Sequence, residues 1–275
     1  MIPKLPTKMP HMPKPPKKFE LSTLGTAGRG KKIIVYAEGG MGKTTLCAML
    51  PKPAFISLDG GADEIVHPVT GEHLRGINAE NFEEVRDILH SNAFDNDESV
   101  IVDHATELQH LAQAYTFVHV PKSKESGGGT ASNIEEYGWH KGYRHWHDTM
   151  RFILPDCDRL VRMGKNVVLI AQESIVKSVQ PGMDDFVKHG PDLYHDKNVS
   201  VLNAYVAWAD HVFRISYADM SVTKGKATPT KTRQIQVHPD ATFYAKSRTI
   251  PSKYDIVEFT EPADDSIWRL LFGGG

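Results

Sequence analysis

Lys43 and Thr44 stand directly behind Gly39-Gly40-Met41-Gly42, a combination suited to phosphate chemistry. Backbone N–H groups of such a turn wrap phosphate oxygens. The lysine ammonium reaches the β and γ oxygens, and the hydroxyl takes a Mg²⁺. On this reading Glu38, Gly39, Gly40, Met41, Gly42, Lys43, Thr44 and Thr45 cradle a nucleoside triphosphate. The pattern usually opens on glycine, but Ala37 stands there, so the turn must work with a negative φ at that point. Asp103 closes an apolar run and would hold the Mg²⁺ beside Thr44. Asp59 closes another and is placed to polarise an attacking water, or else simply forms an Asp-Gly turn. Gln172 closes a third; it can hydrogen-bond a γ-phosphate or its water, or be only a polar strand end. Lys246 and Arg248 occupy alternate positions of an extended stretch and so project to one side. They read as a phosphate clamp or as a surface pair.

These groups need strands to carry them. Residues 33–37 read as a buried strand, followed by the glycine loop and a helix that Pro51 and Pro53 stop. Residues 54–58 and 99–103 are two further strands. Between them lies an irregular excursion over 62–78 and a helix beginning at Asn78, with Phe82, Val85, Ile88 and Leu89 on one face. A helix over 106–117 leads to a polar stretch, 121–138, whose length without periodicity marks a functional or mobile loop. The next helix runs to about Met163, kinked or split by Pro155. Residues 166–173 form another buried strand, and 174–198 a second polar excursion. A helix over 199–209 and a strand over 211–215 follow.

Composition narrows the classes. The chain has 275 residues and a formal net charge of −2, so no global field draws it to nucleic acid and any such contact must be a local patch. Two cysteines, Cys47 and Cys157, suggest neither a disulfide framework nor a zinc site. No apolar run approaches membrane-spanning length, and Met1-Ile2-Pro3-Lys4 lacks the apolar core of a signal peptide. The expected setting is a reducing cytoplasm. Residues 1–30 hold six prolines and six basic residues against one acid, Glu20. They read as a mobile arm, a solvated leader or one whose Phe19-Glu20-Leu21 docks on a neighbouring subunit while its lysines touch phosphate. Residues 31–275 would be the single domain.

Three further stretches invite interpretation. Residues 137–147 are rich in His, Trp and Tyr, but no second ligand set accompanies them, which argues against metal. A packed helix start or aromatic and basic contact to single-stranded bases remains. Residues 221–238 resemble a hairpin whose Lys224, Lys226, Lys231 and Arg233 face no acids, either a solvated hairpin or a phosphate-contacting wing. The cluster from Ile267 to Phe272 should pack on its own domain or a neighbour.

With those residues placed, the chain resembles a RecA-type ATPase core over about residues 31–259. It is most similar to the short phage ATPases that accompany single-strand annealing and recombination. The resemblance rests on residues 37–44, 55–59, 100–103 with Thr106-Glu107-Leu108, 138–143, 169–173 and Lys246-x-Arg248. It implies an α/β RecA-like P-loop fold: a mostly parallel twisted sheet, helices on both faces, and an added carboxyl-terminal β-hairpin. It implies ATP and Mg²⁺ as ligands, single-stranded DNA and an annealing or single-strand-binding protein as partners, and assembly into rings or filaments, in a host cytoplasm if phage-encoded. Family members end the second strand in glutamate, and Asp59 stands there, a carboxylate one methylene shorter. Residues 119–138 and 174–198 match two loops that the family turns toward DNA, although the second mixes Lys177, Lys188 and Lys197 with Asp184, Asp185, Asp192 and Asp196. Lys246 and Arg248 match a cation pair that reaches the ATP of the adjacent subunit. A nucleotide-gated assembly or packaging factor acting on a protein partner is the other reading.

Overall fold

The computed structural model describes residues 25, 28–178, 186–223, 226–229 and 232–273. Most of the expected arm, with Phe19-Glu20-Leu21, lies outside them, as do Asp184, Asp185, Lys224 and Lys231.

The chain opens with β1 (Lys32–Ala37), α1 (Lys43–Ala48), β2 (Pro53–Ser57) and β3 (Gly76–Asn78). Next come α2 (Phe82–His90), β4 (Ser99–Asp103), α3 (Ala105–His119), α4 (Lys141–Arg151) and α5 (Ile153–Arg162). They lead to β5 (Asn166–Ser178), β6 (Phe186–Pro191), α6 (Val201–Trp208) and β7 (His211–Tyr217). The remainder holds β8 (Met220–Thr223), β9 (Lys226–Pro229), β10 (Arg233–Gln236), β11 (Lys246–Ser247), β12 (Ile256–Phe259) and α7 (Ser266–Phe272).

The main sheet runs β12-β10-β7-β1-β5-β4-β2-β3, with β11 on β7 and β6 on β5. The six strands from β7 to β3 are parallel, and β10, β11 and β12 join antiparallel. This is the RecA-like α/β arrangement. Strands buried on both faces must be apolar throughout, and residues 33–37 and 167–171 are at most 1 % exposed. Alternation along each strand feeds two cores. Ile34, Tyr36, Val100, Val102, Val167 and Leu169 meet the layer from α2 to α6. Ile33, Val35, Ile101, Val168 and Ile170 meet α1 and α7. The carboxyl-terminal cluster therefore packs on its own chain: Trp268 Nε1 donates to the Leu46 carbonyl at 2.7 Å.

Several local readings need correction. Asn78 ends β3, and the α2 cap is Asn81, whose side chain accepts the Glu84 N–H at 2.9 Å. β3 was unexpected because three exposed residues carry no apolar signal. The described part of the 174–198 excursion contains the end of β5 and the whole of β6. β5 runs on to Ser178 and pairs with β6, because a ladder partner suffices where neither face is fully buried. The 221–238 segment divides: β8 and β9 pair only with each other, whereas β10 joins β7. The long helix splits at Phe152, leaving Pro155 in the first turn of α5, where its missing N–H costs nothing. After Ala209 the only helix among the described residues is α7, and those residues hold no helical lid. No described helix is long and apolar enough to cross a membrane.

His211 begins β7 fully buried, with Nδ1 3.0 Å from Ser247 Oγ and Nε2 without a partner. Burial first, then the charge of Lys31, pushes its pKa down to about 4. Below its ordinary value of about 6.5 the unfolded chain takes up a proton that the folded chain refuses. The stability contribution is full above that value and is lost as pH falls toward 4, by up to about 1.4 kcal/mol per pH unit. Urea midpoints should drop between pH 7 and pH 5, and His211→Gln should flatten the drop; equal slopes in both proteins would refute the assignment.

Candidate nucleotide site

Parallel register brings the strand ends together. Ala37 lies opposite Gln172, and Ser57 opposite Asp103. The glycine loop leaves β1 with left-handed φ only at Gly40 (75°) and Gly42 (84°), while Ala37 keeps a negative φ, as its Cβ demands. Lys43, 7 % exposed, folds back into the loop. Its Nζ donates to the carbonyls of Ala37 (3.0 Å) and Glu38 (2.9 Å) and to Gln172 Oε1 (2.9 Å). Burial lowers its pKa from the ordinary lysine value, opposed chiefly by the Asp103 carboxylate. Thr44 Oγ1 donates to Asp103 Oδ2 at 2.6 Å. Burial raises the Asp103 pKa above the usual carboxylate range, and the Thr44 hydrogen bond holds it back.

Asp59 faces this group from the end of β2. Its Oδ1 accepts the Gly61 N–H at 2.9 Å, and Oδ2 lies 3.1 Å from His104 Nε2. The cleft encloses about 310 Å³ and is lined by Gly39, Gly40, Gly42, Lys43, Thr44, Thr45, Asp59, Asp103, His104 and Gln172, with Gly61 and Ile65. Most of the expected site residues thus converge. Glu38 and Met41 instead line a neighbouring cavity with Glu173, His189 and Arg214. A larger cavity of about 680 Å³ lies between the β5–β6 hairpin, Tyr194 and Trp146. None of the glycine-loop residues lines it, although Asp192 on its wall donates its N–H to the Gln172 carbonyl at 2.8 Å.

Thr44 and Asp103 fit Mg²⁺, which takes hard oxygen donors, often one or two from protein, and completes its shell with phosphate and water. Among the described residues no group of three His, Cys, Asp or Glu could hold a metal ion.

Lys246 and Arg248 are not brought to this cleft. β11 pairs with the start of β7, at the opposite end of the strands. Lys246 Nζ donates to the carbonyls of Val206, Ala207 and Ala209 at 3.0, 3.3 and 2.6 Å, closing the end of α6. Arg248 Nε pairs with Asp210 at 3.3 Å. A role at their own chain's phosphates is excluded by this placement.

Three contributors escaped the sequence reading. Arg233, expected on a hairpin, donates from Nη1 to the Met41 carbonyl at 3.0 Å and lies 4.5 Å from the Phe259 ring centroid. A Cβ on Gly42 would meet that Nη1 at 2.5 Å and push the guanidinium aside, while the φ of 84° is what calls for glycine there. Glu173 accepts both Arg214 Nε (2.7 Å) and Nη2 (2.9 Å), with His189 Nδ1 2.7 Å from its Oε1. His104 carries no motif that would have marked it, since histidine is an uncommon helix cap.

The family described as "AAA domain" matches residues 29–249, which include the glycine loop, Asp59, Asp103, Gln172 and the Lys246-x-Arg248 pair. The chain belongs to that AAA domain family. It is a P-loop ATPase core, and the AAA domain spans every strand of the parallel sheet. Among solved structures, the KaiC-like protein PH0186 from the hyperthermophilic archaeon Pyrococcus horikoshii OT3 is similar over 84 % of this chain and 90 % of its own, at 11 % identity and a TM-score of 0.42. Among curated proteins none matches.

The geometry divides binding from turnover. Lys43→Ala should weaken nucleotide affinity about 100-fold or more, since a buried charge-assisted contact is lost. Asp59→Ala should leave affinity in place and slow phosphate release by about 10²–10⁴-fold. Fluorescent-nucleotide titration alongside a phosphate assay reads both; equal loss of binding in the two variants would show that the roles are not separate.

Proposed function

We propose that this AAA domain protein is a Mg²⁺-dependent ATPase that assembles on single-stranded DNA and promotes annealing or strand exchange. The observation that carries the ATPase reading is the pair of contacts Lys43–Gln172 and Thr44–Asp103 around one cleft, with Asp59 on its far wall. In-line attack by water forms a bond to the γ-phosphorus as the bond to ADP breaks, and positioning with charge neutralisation supplies most of the catalysis. Lys43 binds the β and γ oxygens, Thr44 and Asp103 would hold a Mg²⁺, which would supply neutralisation of developing charge, Asp59 orients the water, and Gln172 senses the γ-phosphate.

The DNA reading is supported by the 137–147 segment. Trp139 is 95 % exposed. Gly138, Trp139 and His140 hold φ values of 69°, 45° and 57° in succession, a costly backbone for two non-glycine residues. Lys141 and Arg144 follow on exposed turns of α4. An outward aromatic beside exposed cations suits stacking on bases. Trp146, by contrast, is core, with its Nε1 donating to the Gln109 carbonyl at 2.7 Å. The alternative, a nucleotide-gated factor acting on a protein partner, is favoured by Ile175 and Val187, which the β5–β6 hairpin leaves 64 % and 51 % exposed.

Phosphate release measured with and without single-stranded DNA separates the two. Severalfold stimulation whose DNA affinity falls steeply with salt supports the first. A rate indifferent to DNA at every salt concentration leaves the protein-partner reading.

Assembly completes the site in this proposal. Among the described residues Lys43 is the one lysine or arginine that lines the cleft, and an added cationic finger contributes roughly 10³–10⁵ in rate. Lys246 and Arg248 would supply it to a neighbour's phosphates, exchanging the α6 carbonyls for the anion. Turnover per subunit should then rise with protein concentration. Mixing Lys43→Ala subunits with Lys246→Ala/Arg248→Ala subunits should restore part of the activity. A mixture that stays inactive, with a lowered Tm for the double variant alone, assigns the pair to helix capping.

A further inference from the structure

We propose that His104 is a positioning residue for Asp59, fixing the carboxylate that orients the attacking water; this rests on the ATPase reading above. The tautomer follows from the contacts. His104 Nδ1 accepts the backbone N–H of Glu107 at 3.0 Å, as the side-chain cap of α3. That nitrogen therefore carries no proton, and in the neutral ring the proton sits on Nε2. Nε2 lies 3.1 Å from Asp59 Oδ2, so the ring donates to the carboxylate.

Both ends of the ring are thereby used. Its side chain is only 12 % exposed, whereas that of Asp59 is 39 % exposed and would otherwise swing freely among rotamers in water. Gly61 N–H holds one oxygen and His104 the other, and each retains a lone pair for a water proton. Because His104 directly follows Asp103 and caps α3, the contact ties the end of β2 to the strand end that carries the metal ligand. The carboxylate is shorter than a glutamate by one methylene, and a donor on its outer oxygen compensates by fixing where that shorter arm points.

Two conservative variants separate the two bonds that the ring makes. Asparagine places Oδ1 where Nδ1 stands, so His104→Asn keeps the cap and loses the donor to Asp59. Glutamine places an amide nitrogen near Nε2, so His104→Gln keeps the donor and loses the cap. In the full chain, His104→Asn should hold its Tm and ATP affinity while kcat falls about 10–100-fold, the scale for residues that orient a reacting group. His104→Gln should retain kcat within about threefold of wild type, with Tm lower by about 2–4 °C for the lost cap. Asp59→Ala is run in parallel. If Asp59→Ala is inactive while His104→Asn turns over like wild type, His104 only caps α3 and the proposal is overturned. Equal loss of kcat in the Asn and Gln variants overturns it too, because the cap and not the carboxylate contact would then matter. If Asp59→Ala turns over normally, the water-orienting reading of Asp59 fails first, and the role proposed for His104 falls with it.

Discussion

The parallel ladder is the constraint on which the rest depends. Because β1, β2, β4 and β5 run the same way, their carboxyl ends share one edge, and the groups that follow them cannot avoid one another. Ala37 opposite Gln172 fixes the lysine of the loop against the amide of β5. Ser57 opposite Asp103 sets Asp59 near Asp103 and His104. A slip of one residue in either pair would move every side chain of the strand from one core to the other, where the packing is shaped for different residues. The register of the site is therefore enforced by the two hydrophobic cores and not by the polar residues it brings together.

The polar groups near the loop are held by one another in a second layer. Glu173, next to Gln172, is almost fully buried and takes two bonds from Arg214 of β7 and one contact from His189 of β6. Arg214 also donates to Gln236 of β10 at 3.0 Å. A buried charge pair of this kind contributes little net stability, but removing one member strands the other. Its effect is geometrical: four strands meet beside Gln172, and the amide that contacts Lys43 has little freedom to wander.

Much of this was legible in the sequence, and the reason differs by element. β1, β4 and the first half of β5 are continuous apolar runs ending in polar residues, a pattern that only a doubly covered strand sustains. The glycine loop announced itself by spacing, and Ala37 behaved as its Cβ required. β3 and the outer half of β5 were missed because exposed strands held by ladder bonds leave no hydrophobic trace. Arg233 and His104 were missed for another reason. Each acts through a contact with residues distant in sequence or through a tautomer, and neither leaves a mark in spacing. Lys246 and Arg248 were read at alternate positions of one extended stretch; Lys246 lies in β11 but Arg248 follows it in a bend, and their partners, the carbonyls that end α6 and the carboxylate of Asp210, depend on how β11 folds back on β7.

α1 is six residues long, too short to persist in water without support. The indole of Trp268 grips its Leu46 carbonyl across a separation of 222 residues. A ribosome making this chain releases the glycine loop early and the residues that brace the helix behind it late. Until α7 emerges, the nascent chain carries the phosphate-wrapping sequence without that contact on the helix behind it. The helix behind the loop thus gains its indole contact only when synthesis is nearly finished, after the strands it packs on have been made.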